Sequence, residues 1–246
     1  MTSTNDQPLS AAEALLRGIK PTANPFEVTI ERLGSAIKMG LYEPGDRLPS
    51  EREIADLMGI SRATVREAIR VLATQGIVVV TRGRTGGTFV AKDFTPSKAK
   101  KIQHKLNENG VTLTEFLDYR LVVETSVVEL AVSRAQEIHK AELQKLVDAM
   151  HNAENSFSDY RKLDIKFHLL IATATQNHRL AATMADIHAE LSDLLSSVPY
   201  SKTAYIHSTQ QHQEIVYAIR KNRPDVARLL MKEHLLATSS YLIGLL

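Results

Sequence analysis

Apolar residues at Val28, Ile30, Leu33 and Ile37 recur near helical spacing, which predicts a helix from Phe26 to Met39 that Gly40 stops. The next segment, LYEPGDRLPS, holds two prolines and a glycine and reads as turns. Ser50-Glu51-Arg52-Glu53 has the S-x-x-E form in which a serine hydroxyl takes the third amide and the glutamate returns to the serine amide. A helix therefore starts at Ser50, turns Ile54, Leu57 and Met58 to a core, and breaks at Gly59. Ser61 caps a second helix whose inner face is Val65, Ile69 and Leu72 and which ends at Gly76. The β-branched run Ile77–Thr81, the turn RGRTGG and the run TFVA predict a β-hairpin.

Beyond residue 101 the pattern is almost wholly helical. Thr112-Leu-Thr-Glu115 is a second capping-box sequence, opening a helix through about Ala135. Further helices are predicted near 139–154, 158–175, 179–197, 202–221 and 224–244. The expected fold is mostly α: a winged helix-turn-helix of three helices and a hairpin, then an all-α bundle. The domains are predicted as a flexible extension over 1–25, with a short helical possibility at Leu9–Ile19, a first domain at 26–91, a linker at 92–101 and a helical domain at 102–246.

Composition narrows the chemistry. The chain of 246 residues has no cysteine, which removes disulfides, thiolate nucleophiles and thiolate-bound zinc or iron–sulfur clusters. Any metal then falls to histidine and carboxylate. No apolar run approaches a membrane span, and the polar start MTSTNDQP is unlike a signal peptide, so a cytoplasmic location is expected.

The net charge of +2 hides a local cluster. From Ser61 to Arg84 there are five arginines, Arg62, Arg66, Arg70, Arg82 and Arg84, against the single acid Glu67, a net +4. Arginine suits bidentate guanine and phosphate contacts, and the polar first turn Ser61, Arg62, Thr64 and Arg66 is where a recognition helix reaches base edges. The plain alternative is a three-helix subdomain with a solvated charged face. The spacing argues against a nucleotide site, since Gly83, Gly86 and Gly87 fit neither G-x-G-x-x-G nor a Walker loop.

From Glu31 to Val90 the sequence, with its run LPSERE followed by SRATVREAIRVL, resembles the winged-helix DNA-binding domain of GntR-type bacterial transcription regulators. The resemblance implies DNA contacts from Arg52, Ser61, Arg62, Thr64 and Arg66, and from Arg82 and Gly83 on the wing. It also implies a homodimer on palindromic operator DNA, because one such domain reads a half-site.

In the helical half, Asp164 and His168 stand four residues apart on a face that also carries Tyr160, Phe167 and Ile171. His212 shares a face with Ile215 and Ile219, and His234 aligns with Leu230, Val226 and Tyr241. One carboxylate and three imidazoles on inward faces suit a divalent metal ion, although a lone inward histidine is more often a hydrogen-bonded core residue. The other histidines, 104, 139, 151, 178, 188 and 207, have no such context and read as surface or structural. The region from about Leu113 to Leu246 resembles the all-helical (FCD-type) effector domain of the FadR-like subgroup of the same regulators. Its metal-binding members carry D-x-x-x-H, then H-x-x-I-x-x-A-I, then a late histidine. The resemblance thus implies Asp164, His168, His212 and His234 as ligands of a metal ion, zinc first, with nickel, iron or manganese as alternatives. In Tyr119-Arg120-Leu-Val-Val-Glu124 it implies Arg120 as a contact to an anionic effector.

The expected function is a transcription regulator, not an enzyme, whose operator affinity responds to a small organic acid bound at the metal. The rival readings are a direct metal sensor and a metal-dependent hydrolase joined to a DNA-binding module. Against the last stand the lack of H-E-x-x-H and of a separate general base.

Overall fold

A computed structural model describes residues 16, 24–38, 40–83, 86–93, 111–153, 156–195, 198 and 201–245. Apart from Leu16, the helical possibility at Leu9–Ile19 lies outside them, as do Arg84, His104 and most of the expected linker. The chain divides into two compact units, Met1–Pro96 with Ile243–Leu245, and Ser97–Leu242.

In the first unit α1 spans Pro25–Lys38, α2 Glu51–Met58 and α3 Arg62–Thr74. Their inward residues, among them Ile30, Leu33, Ile54, Val65 and Leu72, have no exposed surface. α2 starts as its sequence requires: Glu53 N donates to Ser50 Oγ at 3.3 Å and Ser50 N donates to Glu53 Oε2 at 2.7 Å. It stops at Gly59, whose φ of 70° is the left-handed conformation that glycine adopts without strain. Thr64 N then donates to Ser61 Oγ at 3.1 Å, fixing the start of α3. Strands β1 (Val78–Thr81) and β2 (Gly87–Val90) pair antiparallel, from Val78 opposite Val90 to Thr81 opposite Gly87.

The segment read as turns does more than turn. Arg47 forms an isolated antiparallel bridge with Phe89, Leu48 N donates to Thr88 O at 2.8 Å, and Val90 N donates to Asp46 O at 2.8 Å. Arg47 Nη2 also donates to Gly86 O at 2.8 Å, so the residues ahead of α2 tie down the hairpin edge.

The second unit comprises α4 (Leu113–Arg134), α5 (Glu137–Asn152), α6 (Phe157–Ala174), α7 (His178–Leu195), α8 (Lys202–Arg220) and α9 (Pro224–Leu245) as far as Leu242. The Thr112 capping box is complete: Glu115 N donates to Thr112 Oγ1 at 3.2 Å and Thr112 N donates to Glu115 Oε2 at 2.8 Å. α6 packs on α4, α5 and α7, and α8 packs on α4 and α5. One apolar core runs through the bundle, with Val128, Leu143, Phe167, Ile215 and Met231 among its members. The inward stripe of α4 includes Leu117, Arg120, Glu124, Val127 and Val128, so an ion pair sits where helical spacing calls for apolar residues.

Ser50→Ala removes one half of the α2 capping box and leaves the Glu53 amide without its partner. The expected loss is about 1 kcal/mol of stability, seen as a lower urea midpoint at unchanged slope; an unchanged midpoint would show that the box contributes nothing.

Candidate functional site

Seven residues of the first unit are expected to meet DNA, and five of them stand on α2, α3 and the residue that caps α3. Arg52, Ser61, Arg62 and Arg66 are exposed and Thr64 is half-buried. Arg82 and Gly83, at the start of the hairpin turn, are exposed too. The Ser61 hydroxyl caps α3 and lies 2.8 Å from Thr64 Oγ1, so both hydroxyls are fixed at the helix start. Arg66 is held across the two helices by Glu51, with Nη2 2.8 Å from Oε2 and Nε 3.1 Å from the same oxygen. Those bonds and the Glu51 charge raise the Arg66 pKa above its ordinary value. Arg70 Nη2 lies 2.6 Å from Glu67 Oε1, and Arg52 Nε lies 3.7 Å from Asp56 Oδ2. The local surplus of arginine is therefore partly answered by Glu51, which sits upstream of the window in which the charge was counted.

In the second unit Asp164, His168, His212 and His234 converge, each offering a ligand atom, with all four atoms within 4.8 Å of one another. They come from three helices: Asp164 and His168 from α6, His212 from α8 and His234 from α9. The histidines are buried and the Asp164 side chain is 17% exposed. His212 Nε2 lies 3.3 Å from His234 Nε2 and 3.4 Å from Asp164 Oδ1. Ligand atoms about 2.0–2.1 Å from a tetrahedral ion stand about 3.3 Å apart. The donor set and these two separations fit a divalent ion.

Each outer ring nitrogen lies close to a side-chain atom outside the quartet, with hydrogen-bond geometry at His234 and His212 but not at His168. His234 Nδ1 is 3.1 Å from Gln211 Oε1, His212 Nδ1 is 3.2 Å from Met150 Sδ, and His168 Nδ1 is 2.6 Å from Glu124 Oε2. The face of α9 differs from the expected one. Val226 is exposed, and Ala227, Met231 and Leu235 are the buried neighbours of His234. At roughly 100° per residue, eight positions rotate about 80° off a face and seven only about 20°.

Beside the quartet lies a second buried group. Arg120 donates through Nε to Glu124 Oε1 at 2.7 Å, and both side chains are at most 2% exposed. His188, grouped by sequence with the surface or structural histidines, is buried with its Nε2 3.3 Å from the same Glu124 oxygen. Its neighbours Met184, Ile187 and Leu191 form an inward stripe on α7, and that spacing is a signal the sequence did carry. Glu124, His168 and His188 are themselves a possible three-ligand group. The Arg120 cation against Glu124 opposes a divalent ion there. Arg120 Nη1 has no hydrogen-bond partner among the described residues.

Burial dominates the titration of this region. It pushes His212 down to about 3, although Asp164 pulls the other way. His234 is driven well below its ordinary value by burial and then by His212 and His168, and His188 is lowered by burial against the pull of Glu124. For Glu124 burial acts upward, but His168, Arg120 and His188 outweigh it and hold the carboxyl well below its ordinary value.

The sign of the resulting pH dependence is fixed. Starting from an ordinary histidine value of 6.5, the metal-free unfolded chain takes up protons that folded His212 refuses until about pH 3. Stability thus falls as pH drops through that window and is restored above it. Glu124 acts in the same direction below its ordinary 4.5. Urea unfolding at stepped pH should show this slope in metal-free protein, and His212→Gln should make it shallower by about one proton; an equal slope in the variant would remove His212 from the account.

Residues 26–90 match the family described as bacterial regulatory proteins, gntR family, and residues 115–237 match the FCD domain. The chain is similar to the Exu regulon transcriptional regulator of Escherichia coli (strain K12), at 32% identity over 213 residues covering 82% of this chain and 78% of the relative. It is also similar to the Uxu operon regulator of Haemophilus influenzae, at 30% identity over 233 residues covering 88% of this chain and 82% of that one. Among solved structures, GntR of Streptococcus agalactiae aligns with a TM-score of 0.48 at 26% identity, covering 87% of this chain and 98% of that one. A helix-turn-helix with a hairpin ahead of an all-helical unit, together with these relatives, makes this chain a member of the gntR family of bacterial transcription regulators with an FCD domain, and a regulator rather than an enzyme.

Proposed function

We propose that the protein is a cytoplasmic, homodimeric regulator of palindromic operator DNA whose affinity is set by a small organic acid bound at a metal ion in the FCD domain. The observation that carries this reading is the convergence of Asp164, His168, His212 and His234, with ligand atoms at 3.3 and 3.4 Å, in a chain that offers no thiolate. Three neutral imidazoles and one carboxylate suit zinc, and a further oxygen ligand would enter by expanding the ion beyond four-coordination.

The charges of the pocket favour an anion once the ion is in place. Ligating histidines are neutral, and Arg120 cancels Glu124. Asp164 then offsets half of a divalent charge, so the loaded pocket carries one net positive charge away from water. The unpartnered Nη1 of buried Arg120 supports a carboxylate as its complement.

On the DNA side, Arg52, Ser61, Arg62, Thr64, Arg66, Arg82 and Gly83 are the proposed contacts, with the start of α3 in the major groove and the hairpin turn at the backbone. Among the described residues no helix is long and apolar enough to cross a membrane.

Three measurements test the reading. With DNA selected from a random-sequence pool, Arg62→Ala should weaken binding and lower the salt slope by about 1 if it meets a phosphate, or relax specificity at one position if it meets a base. No change of either kind would remove Arg62 from the interface. Zinc content by elemental analysis should fall in Asp164→Ala and in His212→Ala. A panel of small carboxylic acids should then shift operator affinity of the zinc-loaded wild type by about 5–150-fold, and leave Asp164→Ala unmoved. A response to zinc alone, with no acid effective, would make the ion the signal and overturn the effector reading.

A further inference from the structure

We propose that Glu124 is a positioning residue for the metal centre: anchored by Arg120, its carboxylate holds His168 through Nδ1 and so presents Nε2 of that ring to the ion. The proposal rests on the reading of the Asp164 quartet as a metal site and assigns a role to a side chain outside it.

The three histidines of the quartet follow one rule. Each has Nδ1 beside a side-chain atom outside the centre: Gln211 Oε1 at 3.1 Å for His234 and Met150 Sδ at 3.2 Å for His212, both within hydrogen-bond geometry, and Glu124 Oε2 at 2.6 Å for His168, a close ion-pair contact whose hydrogen-bond angle is poor. For His212 and His234 the other nitrogen, Nε2, faces the shared centre. An N–H on Nδ1 leaves the Nε2 lone pair for an ion, and an outer acceptor both fixes that tautomer and raises the basicity of the ligating nitrogen. Of the three neighbours only Glu124 is a carboxylate, the strongest acceptor of the set.

The short contact itself points to the tautomer. His168 and Glu124 have no side-chain exposure, so no solvent separates them at 2.6 Å. A ring lone pair and a carboxylate lone pair at that distance repel, which favours a proton on Nδ1, although the N–H and the oxygen are not in line. Glu124 in turn is fixed from α4 by Arg120 Nε at 2.7 Å and shares that oxygen with His188 Nε2 at 3.3 Å. A carboxylate gripped on its far oxygen by a cation cannot swing away from the imidazole it orients. The same cation opposes a second divalent ion among Glu124, His168 and His188.

The test uses the full-length protein and zinc as the probe. Competition with a chelator should show zinc affinity lowered about 10–100-fold in Glu124→Gln, with one zinc per chain at saturation in both proteins. Nitrogen-15 spectra of histidine-labelled, metal-free wild type should show His168 protonated at Nδ1, and Glu124→Gln should give a mixture of tautomers, which a merely structural role would not produce. Because Glu124→Gln leaves Arg120 charged in the core, the double variant Arg120→Met with Glu124→Gln serves as the companion and should lose affinity to the same extent. Zinc affinity within twofold of wild type in the variants would overturn the proposal, as would His168 protonated at Nε2 in the metal-free wild type. Two zinc ions per chain falling to one in Glu124→Gln would make Glu124 a ligand instead. If Asp164→Ala binds zinc as tightly as wild type, the quartet reading itself fails and the proposal falls with it, an outcome distinct from loss of zinc in Asp164→Ala but not in Glu124→Gln.

Discussion

A carboxylate taken wholly out of water must be answered by its neighbours, and in the helical unit Glu124 is that carboxylate. Its oxygens meet Arg120 from its own helix, His168 from α6 and His188 from α7. That demand fixes the rotation of three helices about one point, because each must turn a polar side chain inward where an apolar one would pack more cheaply. α8 and α9 add His212 and His234 beside the same cluster. The bundle thus surrounds a polar heart with an apolar shell that includes Val128, Phe167 and Ile215. Such an interior gains little stability from its charges.

The elements were legible because local rules settle them. Ser50 with Glu53 and Thr112 with Glu115 announce helix starts, glycines at 59 and 76 announce stops, and the observed helices follow the sequence periodicity closely. Asp164 and His168 were legible as a pair because four residues on a helix make one face. Partnerships between elements were not legible. Nothing local to Glu124 says that it meets His168, or that Glu51 will reach across to Arg66 on the next helix. The strand-like pairing of Arg47 and Leu48 with β2 was hidden for the same reason, since its partners lie beyond a helical hairpin of sequence. The face of α9 was misjudged at Val226 because an eight-residue step drifts, whereas Ala227 keeps register with His234.

In the first unit the same contrast between local and long-range control appears at the surface. The hydroxyls of Ser61 and Thr64 are organised by their own helix start, while Arg66 is aimed by α2. An arginine side chain otherwise carries about 2 kcal/mol of rotamer entropy. Two contacts to one Glu51 carboxylate remove much of that freedom before any partner arrives. The helix-turn-helix thereby couples the spacing of its two helices to the orientation of an exposed cation.

Asp164 and His234 enclose a stretch of chain running through α6, α7, α8 and α9. No single helix, and no short peptide cut from this protein, contains more than two of the four quartet residues. An ion held by all of them is therefore a chelate of the folded bundle and not of a motif. Its binding free energy adds directly to that of closing this long loop. With such an ion bound, any excursion that separates α9 from α6 would first have to open its coordination shell, so occupancy of the centre would double as a measure of whether the C-terminal helix is docked.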